Sequence, residues 1–236
     1  MKQFFLFLSL LSLLSACQKD NPYNVPQPVS NRIRFDALAV GQVSRYIGLN
    51  GYGYHPAIIN SYFEYTDDTL LLEIVAKDDN GYKVAETVHY VGDVDNWLNG
   101  SWADSTFFYY LHVSDDTLRF SPIDTWYVRS RIFRSHATRD GLPLEKITSP
   151  KVEIKDWRTT FPSWASRWEG YTENYTLFGH TYEHLNVIVE NTAMALDAPG
   201  ETYVFSKSFG IVRASTYSYW TSDGYDGYGW DFVPED

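Results

Sequence analysis

Leu70-Leu71-Leu72-Glu73-Ile74-Val75-Ala76-Lys77-Asp78-Asp79-Asn80-Gly81-Tyr82-Lys83-Val84-Ala85-Glu86-Thr87-Val88-His89-Tyr90 decides the fold class of this 236-residue chain. On its first arm Leu70, Leu72, Ile74 and Ala76 alternate with a more polar set that includes Glu73 and Lys77. On its second arm Tyr82, Val84, Glu86, Val88 and Tyr90 alternate with Lys83, Ala85, Thr87 and His89. A two-residue period puts each set on one side of an extended strand, because successive side chains point to opposite faces. Between the arms, Asp78-Asp79-Asn80-Gly81 ends in Asn-Gly, the pair that tolerates the positive φ of a tight turn. The stretch predicts a β-hairpin.

Strand-like runs recur along the chain. They cover residues 61–65, 106–113, 117–121, 125–133, 152–157, 171–178, 181–190, 202–206 and 211–220. Ten or more strands with few helices predict a mainly β fold: an antiparallel curved sheet, half-barrel or sandwich, with at most one or two short helices. The one helix expected is short and covers residues 163–169. Ser163 follows Pro162 as N-cap, Gly170 ends the last turn, and Trp164 and Trp168 share one face as a lid on the core. Residues 136–150, with Arg139, Asp140, Gly141, Pro143 and Pro150, form the expected long loop, which either divides two sheets or merely joins two strands. Tyr65-Thr66-Asp67-Asp68-Thr69-Leu70 is echoed by Val113-Ser114-Asp115-Asp116-Thr117-Leu118, which reads as two similar hairpin turns.

Hydrophobic residues make up 44% of the chain and charged residues 21%, with 8 Trp, 19 Tyr and 14 Phe. That composition excludes intrinsic disorder, a collagen-like chain and a coiled coil. The 30 acidic and 19 basic residues give a net charge of -11. Such a surface repels a phosphate backbone, so nucleic acid is not an expected partner.

The N-terminus carries the sharpest targeting signal. A short basic start at Met1-Lys2-Gln3 leads into an apolar run over residues 4–14, too short to span a bilayer. Leu14-Ser15-Ala16-Cys17 follows and resembles the lipobox of bacterial lipoproteins. The resemblance implies a signal peptide over residues 1–16, removed by the type II signal peptidase. It also implies acylation of Cys17 with fatty acids such as palmitate, and attachment to a membrane by lipid alone. Cys17 is the only cysteine, so no intramolecular disulfide and no cysteine-ligated metal site can form. An aspartate directly after Cys17, which would resemble the inner-membrane retention signal of enterobacteria, is absent, and the resemblance then implies the outer membrane. Cys17-Gln18-Lys19-Asp20 resembles the surface-export signal of Bacteroidota lipoproteins, a lysine followed by acidic residues. Asp-Ser/Thr triplets at residues 68–70, 104–106 and 116–118 resemble that group's O-glycosylation pattern. Residues 17–31, with Pro22, Pro26 and Pro28, are expected to form a flexible tether, and residues 32–236 a single β-rich domain.

His180-Thr181-Tyr182-Glu183-His184 matches the His-x-x-Glu-His pattern of inverted zinc peptidases. That chemistry needs a helix, on which residues i and i+4 converge on one ion, whereas Leu185-Asn186-Val187-Ile188-Val189 continues the run as a strand. The zinc reading is therefore set aside, and neither a cofactor nor a metal is expected. Asp93, Asp95 and Asp104, or Asp223, Asp226 and Asp231, are acidic loop residues without EF-hand spacing. No Gly-x-Ser-x-Gly elbow or phosphate-binding glycine loop is present. The C-terminal run, residues 217–232, combines rings, carboxylates and glycines. Trp220, Tyr225, Tyr228 and Trp230 are its expected ligand-binding residues: sugar rings stack on aromatic faces while acids accept hydroxyl hydrogens. The reading preferred over it is an aromatic edge strand and tail folded onto the sheet.

Phe205-Ser206-Lys207-Ser208-Phe209-Gly210-Ile211-Val212-Arg213, with the strands around Gly179, is similar to the closing segment of exported open-barrel lipoproteins. The resemblance implies a half-barrel like the periplasmic lipoprotein carriers, whose concave apolar face holds acyl chains. The expected function is thus a non-enzymatic binding or envelope-accessory protein, lipid-anchored in the outer membrane, for a hydrophobic ligand, glycan or protein partner. The alternative is an envelope glycan-active enzyme using paired carboxylates.

Overall fold

The computed structural model describes residues 31–52, 62–91, 104–123, 130–133, 141–155, 158–159, 167–191, 200–217 and 227–234. The expected signal peptide and Cys17, and the tether up to residue 30, lie outside them. Thirteen strands are formed among the described residues and no helix. They are β1 (Val43–Tyr52), β2 (Tyr62–Asp78), β3 (Gly81–His89), β4 (Ser105–Ser114), β5 (Thr117–Pro122), β6 (Leu142–Pro143), β7 (Ile154–Lys155), β8 (Arg158–Thr159), β9 (Arg167–Leu177), β10 (His180–Asn191), β11 (Gly200–Ser206), β12 (Gly210–Tyr217) and β13 (Gly227–Phe232). Eleven form one antiparallel sheet in the order β6-β5-β4-β3-β2-β1-β13-β12-β11-β10-β9, curled into a half-barrel, and β7 pairs only with β8.

The predicted hairpin is β2–β3. Asp78 pairs with Gly81, whose φ is 114°, and the Asn80 N–H donates to Asp78 Oδ1 at 2.7 Å. Leu70, Leu72, Ile74, Val84, Glu86 and Val88 are all buried, as the alternation requires. A bulge between Ile74 and Ala76 leaves Val75 at the surface.

Three expectations are corrected. The two Asp-Asp segments are not alike. Asp115 and Asp116, both at positive φ, form the β4–β5 turn, whereas Asp67 and Asp68 lie inside the continuous strand β2, so the runs over 61–65 and from Leu70 are one element. The expected helix is not formed at its described end. Arg167, Trp168 and Glu169 pair with Glu190, Val189 and Ile188, and Arg167 Nε reaches Glu169 Oε1 at 2.8 Å, a same-face i,i+2 contact that extended backbone provides. Of the strand expected over 125–133, Ser130–Phe133 are described and form a bend.

Residues 141–150, the described part of the expected long loop, lie along the sheet. Leu142–Pro143 pair with β5, and the Asn186 amide of β10 donates to the carbonyls of Pro143 and Glu145 at 3.0 and 2.7 Å and accepts from the Ile147 N–H at 3.0 Å. Further on, Val152 N–H donates to the Tyr171 carbonyl and Tyr171 N–H to that of Pro150. One segment thus ties β5 to β10 and β9. Arg32–Asp236 form a single compact unit.

Both faces of the sheet bury side chains. The larger cluster joins β2–β6 to β10–β13 through Tyr109, Phe120, Phe133, Tyr203, Tyr228 and Trp230. That face is filled by the rings of the chain itself. Glu86, wholly buried within it, accepts from Tyr109 OH, Ser130 Oγ and the Arg131 N–H, which seats Ile132 and Phe133 in the core. The smaller cluster lies on the opposite face, because Val187 and Val189 flank Ile188 and Val204 lies between Tyr203 and Phe205.

β1, absent from the expected strands, and β13 hold the centre: β13 is inserted between β1 and β12, so this part of the aromatic run is a central strand and not an edge strand. Its glycines permit close strand approach. A Cβ on Gly229 would lie 2.8 Å from that of Ser215 and 2.9 Å from the Ala214 carbonyl.

Candidate functional site: a ring-lined pocket over a buried ion pair

The smaller cluster opens into a pocket of about 850 Å³. Its walls come from the start of β2, the second half of β9 and the stretch leading into β7. Its floor is Arg213 of β12. Three local backbone features aim these residues at one space.

The first is the break between β1 and β2. Ile47 faces Thr69 but Leu49 faces Tyr65, so β2 carries two extra residues there, and Gly48 accommodates them. A Cβ on Gly48 would meet Thr66 Oγ1 at 2.4 Å and Tyr228 OH at 2.8 Å. Beyond the break Phe63 and Tyr65 line the pocket, edge to face at 5.2 Å. The second is Asn174, at φ 55°, a left-handed conformation that Asn tolerates better than most residues. Upstream of it Gly170 and Thr172 point inward; downstream Tyr175 and Leu177 do, so the strand changes face without losing register with β10. The third is the Phe178-Gly179 turn, with φ of 49° and 76°. A bulky residue is uncommon at a position that favours Gly or Asn. The Phe178 ring stands 46% exposed, 5.1 Å from that of Tyr65.

Arg213 and Asp231 sit directly across the ladder between β12 and β13 and are 1% and 0% exposed. Both guanidinium contacts, Nε to Oδ1 and Nη2 to Oδ2, are 2.5 Å, a bidentate pair. Tyr65 OH donates to Asp231 Oδ2 at 2.9 Å, and the guanidinium lies 5.7 Å from the centres of both the Phe63 and Tyr175 rings. Burial works against the Arg213 charge, but Asp231 more than offsets it and holds the group above its usual pKa. Burial, then Asp231, raises the Tyr65 hydroxyl, so Tyr65 stays a neutral donor. At the mouth Lys151 Nζ donates to Glu173 Oε2 at 2.7 Å, a solvent-exposed pair.

This arrangement is suited to holding a ligand rather than to proton transfer. The pocket's lining carboxylates are Glu153 and Glu173, and the Lys151 hydrogen bond lowers the Glu173 pKa, the reverse of what a general acid needs. Other buried carboxylates are engaged within the fold: Asp68 accepts from Tyr228 OH and Val91 N–H, and Glu190 from Arg167.

The residues expected from sequence are placed differently. Trp220 and Tyr225 lie outside the described residues. Tyr228 and Trp230 are each 1% exposed, packed edge to face at 5.4 Å inside the larger cluster, so neither offers a ring face to a ligand. Composition cannot distinguish an exposed aromatic strand from a central one; pairing on both sides of β13 decides it. His180–His184 lie on β10, with the His184 ring stacked on Tyr171 at 5.0 Å and His180 against Tyr182 at 4.7 Å. Asp104 is held by His89 at 2.6 Å and the Tyr90 N–H at 2.9 Å, and Asp231 is the partner of Arg213. Asp93, Asp95, Asp223 and Asp226 lie outside the described residues. Among the described residues no group of three or more His, Cys, Asp or Glu is arranged to hold a metal.

Phe63, Tyr65, Tyr175, Phe178 and Arg213 were not legible as a site. The available signal was Arg213, a charge amid the apolar Ile211-Val212-Arg213-Ala214 run. No protein-family model matches the chain, and no curated protein or solved structure matches it either, so the functional reading rests on this geometry.

Proposed function

We propose that the chain is an outer-membrane lipoprotein anchored through Cys17, and that its folded body is a non-enzymatic binding protein whose ligand occupies the ring-lined pocket. The anchor is supported by Leu14-Ser15-Ala16-Cys17 after the short apolar run. The binding role is supported by one observation: the Tyr65 and Phe178 rings stay solvent-exposed while Tyr65 is fixed from below by Asp231. Rings held in place before binding lose little freedom when a ligand lands on them. A cavity of about 850 Å³ falls in the range of known ligand pockets.

Two measurements test the reading. Cys17→Ser should abolish acyl labelling and release the protein from the membrane fraction; retention would refute the anchor. The released protein, titrated with sugars and apolar probes by tyrosine and tryptophan fluorescence, should show saturable binding that Phe178→Ala removes. Binding indifferent to that substitution would refute the pocket.

A further inference from the structure

We infer that the pocket selects an uncharged oligosaccharide, stacked on the Tyr65 and Phe178 rings, over an anionic glycan or an acyl chain. The inference rests on reading the pocket as the ligand site.

Charge comes first. Lys151 and Arg213 are the cations of the lining, each already joined to a carboxylate, Glu173 and Asp231 respectively. Among the described residues neither cation of the lining therefore offers an uncompensated charge to an anionic ligand: Glu173 offsets Lys151, and the partner of Arg213 is bidentate and buried. Uronic acids and sialylated or phosphorylated sugars are therefore disfavoured.

Ring geometry comes second. Phe178 and Tyr65 are tilted at 35° to each other, and the edge of Phe63 continues the apolar wall. The Phe178 ring stands at the mouth although its backbone position favours glycine, a local strain of the kind found at ligand clamps. The C–H faces of a pyranose suit such rings. The hydroxyls at its edge suit the polar rim of Lys151, Glu173, Asn174 and Thr176, where ammonium and amide donate and carboxylate and hydroxyl accept. An acyl chain would cover the same rim, strip water from the exposed Lys151–Glu173 pair and offer its polar groups no hydrogen bond in return.

The test uses the mature chain with Cys17→Ser and isothermal titration. The probes are neutral hexasaccharides (cello-, malto- and xylohexaose), an oligogalacturonate of the same length, and the apolar dye N-phenyl-1-naphthylamine. The expected result is saturable binding of at least one neutral hexasaccharide, weakened about tenfold by Phe178→Ala, with oligogalacturonate weaker by about as much. Tyr65→Phe, which keeps the ring, should retain more affinity than Tyr65→Ala. Oligogalacturonate binding as well as the neutral sugars overturns the inference. Phe178-dependent binding of the dye alone overturns it too, while leaving the pocket as the ligand site. No Phe178-dependent binding of any probe removes both.

Discussion

Replacing Asp231 by Asn leaves the shape of the pocket floor nearly unchanged but deprives Arg213 of its counter-charge. Both side chains are essentially inaccessible to water, and Asp231 accepts from two guanidinium nitrogens and from Tyr65 OH. Breaking a buried pair from one side strands the other charge, which costs about 3 to 5 kcal/mol. For a body of this size that corresponds to a drop in Tm of roughly 6 to 20 °C. The double variant Arg213→Met/Asp231→Leu removes both charges and should recover most of the loss, short of the Tyr65 hydrogen bond at about 1 kcal/mol. Urea denaturation followed by tryptophan fluorescence measures both quantities, with wild type, Arg213→Met, Asp231→Leu and the double variant compared as a double-mutant cycle and Asp231→Asn measured beside them. A cost below about 1 kcal/mol for Asp231→Asn, or a double variant as unstable as the sum of the singles, would show that the pair is not sealed from solvent as argued.

Glu86 sets a pH dependence. Burial raises its carboxyl above the ordinary 4.5, outweighing the opposing donors Arg131 N–H, Ser130 and Tyr109. The folded chain therefore keeps a proton that the unfolded chain releases. This contribution to stability is complete below pH 4.5 and is lost as pH rises through the folded value. Urea midpoints should fall across that window in the wild type and fall less in Glu86→Gln; an unchanged slope would dismiss Glu86 as the cause. Gly48→Ala places a methyl 2.4 Å from Thr66 Oγ1 and should cost about 1 to 3 kcal/mol, read as a lower denaturation midpoint. Gly179→Ala meets no atom within 4 Å, and its positive φ alone should cost about 1 kcal/mol. Equal losses at the two glycines would argue that backbone conformation, not close approach, decides both.

Local pattern was enough for the β2–β3 hairpin, because its alternation and its Asn-Gly turn are properties of adjacent residues. The same holds for β4, β5 and β10, whose bounds lie close to the expected runs. It failed for β1, and for β13 it offered an edge strand where the sheet has a central one. Their glycines, Gly48, Gly51, Gly227 and Gly229, lower strand propensity when read alone, and only the neighbouring strands reveal why small residues are wanted there. The helix expected over residues 163–169 erred in the opposite sense: a plausible cap and an i,i+4 tryptophan pair do not outweigh a ladder with β10.

The sequence by itself determined the fold class, the single cysteine and the acidic balance of charge, since each follows from composition or from short-range periodicity. Tertiary structure decided where the pocket lies. Tyr65, Tyr175, Arg213 and Asp231 come from four strands separated by up to 166 residues, and no local signal couples them. Their meeting depends on the curl of one sheet, on two extra residues opposite Gly48 and on the change of face at Asn174. Each of these is fixed by strand register, a long-range quantity that a one-residue slip would reverse.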